Sequence, residues 1–247
     1  MQHVQHVLLV LLFGSLFALA QTTPNVIWLV MDDNDYLLGG ASPLTETQKV
    51  VQNRGINFTN FVAHSPICCA SRSSFLSGRY IHNIAATKGQ CERYFNGTSG
   101  TKCCMFMLLD LAWEEKTMAV ELSRAGYDTA LIGKYMNNRK DWCDDNIRVP
   151  AGWSLFNAMC RNLEYDNPTF NLNGTEMKQF QGYQTAILGN MTIDFIKSRR
   201  KNAKPFFLHL SPHAPHFPSS EFDTVVSAGK KAQLLIFFFF FSSGSLV

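Results

Sequence analysis

A few short stretches of the sequence hold residues able to do chemistry. Asp32-Asp33 closes the apolar run Val26-Ile27-Trp28-Leu29-Val30-Met31, and Cys68-Cys69 stands inside Pro66-Ile67-Cys68-Cys69-Ala70-Ser71-Arg72-Ser73-Ser74-Phe75-Leu76-Ser77-Gly78. Gly133-Lys134-Tyr135 and Ser211-Pro212-His213-Ala214-Pro215-His216 each follow an apolar run of their own. Adjacent carboxylates repel and are costly unless a cation or donors neutralise them, and calcium, which takes six to eight oxygens, is such a cation. A solvated turn with capping aspartates is the plainer alternative. An EF-hand is excluded, because counting from Asp33 the sixth position is Leu38 and the twelfth is Leu44. Two neighbouring cysteines taken alone read as disulfide partners or small buried residues. The chain has seven cysteines, however, so complete pairing leaves one over.

The elements that must position these residues alternate. Val26 to Met31 reads as a strand buried on both faces. Thr45 to Arg54 reads as a helix stopped by Gly55, and Phe58 to Val62 as a short strand. Met118, Leu122 and Ala125 recur at helical spacing before Gly126, and Thr129 to Ile132 supplies another buried strand. Ile187, Met191 and Phe195 mark one face of a helix running to about Arg199, followed by a strand from Pro205 to Leu210. This order predicts a largely parallel sheet covered by helices, with the site at the carboxyl ends of its strands. Gln90 to Lys116 and Asn137 to Asn173 show weak periodicity and read as long ordered loops near the site.

The 247 residues are 46% hydrophobic and 17% charged, an ordinary globular composition with enough apolar material for a core. A net charge of +3 without basic runs gives no reason to expect nucleic acid. Residues 1–20 carry an apolar run ending in Ala18-Leu19-Ala20, the pattern of a signal-peptidase site, although His3 and His6 replace the usual basic residues. That run is too short to favour spanning a membrane. Sequons at Asn57, Asn96, Asn173 and Asn190 suit the same secretory route, leading to a secreted or lysosomal glycoprotein.

The segment Pro66 to Gly78 closely resembles the sulfatase signature Cys-x-Pro-Ser-Arg-x-x-Leu-x-Thr-Gly. In that family the first cysteine is oxidised during secretion to formylglycine by a dedicated generating enzyme. The resemblance implies that Cys68 becomes the nucleophile, which accounts for the unpaired cysteine. A hydrated aldehyde offers one hydroxyl to attack sulfur and another to expel sulfate afterwards. Arg72 lies one turn along a helix expected to start at this point, so it can return to the same pocket. The resemblance also assigns calcium to Asp32 and Asp33 with modified Cys68 as a further ligand, sulfate binding to Lys134, and the general acid to His216. Many sulfatases carry a histidine two residues beyond the lysine; here Met136 stands there. His213 could help, or be structural.

The resemblance spans about Pro24 to Phe222 and includes Asp32-Asp33-Asn34-Asp35, Gly78-Arg79-Tyr80-Ile81-His82-Asn83 and Gly133-Lys134-Tyr135-Met136-Asn137. These fit the branch of N-acetylglucosamine-6-sulfatase and the extracellular heparan sulfate 6-O-endosulfatases. The fold implied is the alkaline-phosphatase-like α/β/α sandwich with a mostly parallel central sheet, truncated at the C-terminus. The activity implied is hydrolysis of a sulfated sugar or aryl sulfate. Two alternatives stand beside it: an inactive truncated or non-catalytic secreted sulfatase-like protein, and a phosphodiesterase of the same fold. Ala70 in place of the usual proline, and no counterpart to the family's later calcium ligands, favour the first. Residues 21–228 are thus expected to be the N-terminal part of a sulfatase catalytic domain, inactive by itself. Residues 229–247, with five consecutive phenylalanines at Phe237 to Phe241, are expected to be translated non-coding sequence. A strand would not normally have that composition.

Overall fold

A computed structural model of the chain describes residues 23–35, 39–52, 55, 56, 58, 61, 63, 65, 68–84, 111–137, 142–144, 147–161, 164–199, 204–216 and 236–241. The strands are β1 (Asn25–Val30), β2 (Asp128–Gly133), β3 (Leu155–Met159), β4 (Thr169–Leu172), β5 (Glu176–Gln179), β6 (Phe206–Ser211) and β7 (Ile236–Phe241). The helices are α1 (Thr45–Thr47), α2 (Cys68–Ser77), α3 (Leu111–Glu114), α4 (Met118–Arg124) and α5 (Gln184–Lys197). The sheet order is β5-β4-β3-β2-β6-β1-β7. Its centre, β3-β2-β6-β1, is parallel throughout, while β4, β5 and β7 join antiparallel at the two edges.

The continuous apolar runs become central strands because both faces of the sheet are covered. Leu131 and Phe207 face a cluster with Trp28, Val30, Leu76 and Phe156, on the side of α2. Their neighbours Ala130, Ile132, Phe206 and Leu208 point the other way and pack with Leu188 and Phe195 of α5. The predicted helix before Gly126 is α4, with that glycine at a φ of 89° just past its end, where a left-handed residue closes a helix.

Several expectations change. The helix expected from Thr45 to Arg54 is the short α1 continued by a π-helical turn, Gln48–Gln52. Phe58 and Phe61 belong to no strand and are exposed; the rest of that predicted strand lies outside the described residues. The predicted loop from Asn137 to Asn173 contains β3 and β4, with β5 just beyond. Asparagine made it look irregular, yet Asn171 is fully buried in β4. Its amide donates to the carbonyls of Trp142 and Arg148 (2.9 Å for Arg148), and its Oδ1 accepts from the Gly174 N–H at 2.7 Å. This segment is also cross-linked, by the disulfide Cys143–Cys160. The phenylalanine run, read as unlike a strand, forms β7 along the free edge of β1, where backbone pairing is indifferent to side-chain monotony. The predicted signal segment lies outside the described residues, and among those described no helix is long and apolar enough to cross a membrane.

Candidate active site

Three parallel strands end side by side and deliver the chemistry. Just past β1 stand Asp32 and Asp33, past β2 stands Lys134, and past β6 stand His213 and His216. Helix α2 starts at Cys68 and turns its first face toward the same point. The strand ends are locked together: the Lys134 N–H donates to the Ser211 carbonyl at 2.7 Å. Gly133 is required there, since a Cβ on it would lie 2.1 Å from the Ser211 oxygen.

Asp32 is the hub, with 1% of its surface exposed. Arg72 Nη2 donates to its Oδ1 at 3.0 Å, Lys134 Nζ to its Oδ2 at 2.5 Å, and His213 Nδ1 lies 3.0 Å from the same Oδ2. Burial pushes the Asp32 carboxyl up, but Lys134, then Arg72, and the His213 hydrogen bond outweigh it and hold it well below the usual carboxylate range. An ionised Asp32 only accepts, so His213 carries its proton on Nδ1. Burial lowers the pKa of the His213 ring, favouring this neutral form.

Arg72 sits one helical turn after Cys68, and its other nitrogen, Nη1, donates to Ser211 Oγ at 2.8 Å and to the Lys134 carbonyl at 3.0 Å. Ser211 Oγ in turn donates to the Val30 carbonyl at 3.3 Å. Ser211 thus links β1, β6 and α2, a role that a serine ahead of two histidines gave little reason to suspect.

The second carboxylate behaves differently. Burial first, and then the charge of Asp32, push Asp33 up from the ordinary range. His216 Nε2 lies 3.3 Å from Asp33 Oδ2. Metal-ligating atoms of Asp32, Cys68 and His216 all lie within 4.8 Å of one another. A carboxylate pair of which one member is strained by the other's charge, with a thiol and an imidazole alongside, fits a cation in its donor chemistry. The two cysteines also part ways. Cys69 is 1% exposed and disulfide-bonded, whereas Cys68 is a free thiol at intermediate exposure.

All of the residues singled out from the sequence therefore meet here: Asp32, Asp33, Cys68, Arg72, Lys134 and His216. Sequence reasoning missed Ser211 and Tyr165. The Tyr165 hydroxyl donates to the His216 carbonyl, and its ring lies 5.2 Å from that of His213. Burial, then Tyr183, Asp32 and Asp33, push its pKa up to about 12, so it keeps that proton. Its only sequence signal was an aromatic in a stretch read as a loop near the site.

Comparison with known proteins identifies the family. The sulfatase family model matches residues 24–233. Human N-acetylglucosamine-6-sulfatase is 33% identical over 220 residues, 85% of this chain and 38% of its own length. The Drosophila melanogaster extracellular sulfatase SULF-1 homolog is 30% identical over 201 residues, 79% of this chain and 17% of its own. A solved structure in complex with its substrate, D-glucosamine-2-N,6-O-disulfate, superposes with a TM-score of 0.55 at 26% identity, covering 78% of this chain and 35% of that one. The chain spans about a third of the length of the N-acetylglucosamine-6-sulfatases it matches, at 34%, 38% and 33% of their lengths. The fold is the alkaline-phosphatase-like one shared by these neighbours. On the family match and the shared architecture, this chain is a member of the sulfatase family.

Proposed function

We propose that this chain carries the nucleophile and sulfate-binding part of a sulfuric ester hydrolase acting on a sulfated sugar. The observation that carries it is the convergence of Cys68, Arg72, Lys134 and His216 around one buried carboxylate, Asp32. Arg72 and Lys134 bring two positive charges into a water-poor pocket beside Asp32 and Asp33, and with a cation held on those carboxylates a sulfate group would meet favourable potential. Cys68 is the residue for conversion to formylglycine, whose hydrate would supply the hydroxyl that attacks sulfur and the one that later expels sulfate. His216, held by Asp33 and through its backbone by Tyr165, is placed to give a proton to the leaving sugar oxygen. Asp32 and Asp33 are the residues that would hold calcium, which would lower the cost of placing an anion beside carboxylates. The preference for a sugar rests on the relatives named above. Passage through the secretory pathway, where a converting enzyme could reach Cys68, belongs to the same reading. So does glycosylation at Asn173 and Asn190, both exposed.

Peptide mass analysis of secreted chain tests this: the Cys68 peptide should lose its sulfur and gain an aldehyde oxygen, while Cys69 stays a half-cystine. Unconverted Cys68 overturns the reading. A non-catalytic sulfate-binding protein is the second reading, favoured by ligand count. Among the described residues the donors gathered here fall short of the six to eight oxygens calcium takes, so binding should need about millimolar calcium in calorimetry.

A further inference from the structure

Beyond the reacting groups, the structure holds a row of rings leading to the surface. His216 stacks on His213 with centroids 4.5 Å apart, His213 lies 5.2 Å from Tyr165, and Tyr165 stacks on Tyr183 at 6.1 Å with ring planes 11° apart. From His213 outward exposure rises: His213 is fully buried, Tyr165 intermediate and Tyr183 50% exposed. The two tyrosines are held by backbone. The Gln184 N–H donates to the Tyr165 carbonyl at 2.8 Å, the Asn167 N–H to the Gly182 carbonyl at 2.9 Å, and Asp166 bridges Tyr183. Gly182 N–H adds a bond to Asn167 Oδ1 at 2.8 Å.

An exposed aromatic ring backed by a second, parallel ring on a fixed double segment does not pack a core. Its outer face is electron-rich and suits the weakly positive C–H face of a pyranose. Little ordering is needed when such a ring binds, because the backbone already holds it. We propose that Tyr183, backed by Tyr165, is a sugar-stacking platform at the entrance of the site. The ring it takes is a neighbour of the one that carries the sulfate, since Tyr183 stands three rings out from His216. The proposal rests on the sulfated-sugar reading and adds to it that the substrate is a saccharide chain.

The test uses calorimetry on the whole chain with three probes: inorganic sulfate, glucosamine 6-sulfate, and a tetrasaccharide containing 6-O-sulfated glucosamine. Tyr183→Ser removes the ring at the N-cap of α5, where serine is a favoured residue, so the helix keeps its start. It should weaken the tetrasaccharide at least about threefold, the scale of one aromatic contact, and leave inorganic sulfate unchanged. Tyr183→Phe should bind like the wild type. A smaller loss in Tyr183→Ser, an equal loss in Tyr183→Phe, or an equal loss for inorganic sulfate overturns the platform. If the wild type binds sulfate but gains nothing from the tetrasaccharide, the platform falls and the sulfatase reading stands; if it binds neither, both fall.

Discussion

Two buried carboxylates among the described residues are paired with arginine, and they could hardly be more different. Glu114 meets Arg148 through two parallel bonds of 2.7 and 2.8 Å, one charge against one charge, with Arg148 reaching toward solvent. Asp32 is shared by Arg72 and Lys134 and touched by His213, every partner no more than 2% exposed. The first is a closed pair of the kind that staples helix to loop. The second is a shared carboxylate with two cations on it and a second carboxylate, Asp33, beside it, in a place where water cannot screen the charges. One is a closed pair; the other is a network that joins β1, β2, β6 and α2.

The largest effect is expected at the hub. Asp32→Asn removes the carboxylate that the two buried cations share and should cost about 3–5 kcal/mol of stability in urea unfolding. A much smaller loss would mean that the pocket is wetter than its burial suggests.

His209 supplies the limiting case, a buried titratable group with no countercharge at all. It sits among Trp28, Phe75 and Trp153 with both ring nitrogens unpartnered, and burial, then Arg72, lower its pKa to about 3. The unfolded chain takes up a proton near pH 6.5 that the folded chain refuses until about pH 3. Stability should therefore be unaffected above pH 6.5 and fall by up to about 1.4 kcal/mol per pH unit below it. His209→Leu should remove that share of the slope; an unchanged slope between pH 6.5 and 4 would show that the ring finds a partner.

At Glu114 the effect should be smaller, because Arg148 can turn to water. Glu114→Gln is expected to cost about 1–2 kcal/mol. Lys134→Met removes one of the two buried cations on Asp32 while Arg72 and His213 still hold the carboxylate, so its cost in stability should be smaller than that of Asp32→Asn. Inorganic sulfate affinity should nonetheless drop more than tenfold in the same variant. If Lys134→Met kept its sulfate affinity, the contrast between the two arginine pairs would collapse.

The centre of the sheet was legible in the sequence because strands buried on both faces leave long apolar runs, as β1, β2 and β6 do. The site was legible because its residues stand directly after those runs or, as with Cys68 and Arg72, one helical turn apart. What was not legible obeys another logic. β3, β4 and β5 are four or five residues long, and β5 is exposed along its whole length, so no periodicity announces them. Asn171 satisfies loop carbonyls from inside a strand, which composition reads as loop. Ser211 and Tyr165 act through hydrogen bonds that span 139 and 51 residues of chain, a kind of contact without any local pattern. The run Phe237 to Phe241 is the opposite failure, where an unusual composition hid ordinary backbone pairing.

The bond between Cys143 and Cys160 has a consequence for how the pocket comes to be. It closes a loop of 17 residues' separation in the stretch that patterned burial specifies least, and such a closure removes about 3 kcal/mol worth of unfolded-state freedom. Trp142, next to the bridge, packs edge-on against Tyr135, the residue after Lys134. Order on that wall is thus reinforced by a cross-link set within the apolar cluster. Made in a reducing compartment, the same chain would still assemble its parallel strands, but the wall beside Lys134 would be left to settle without its clasp.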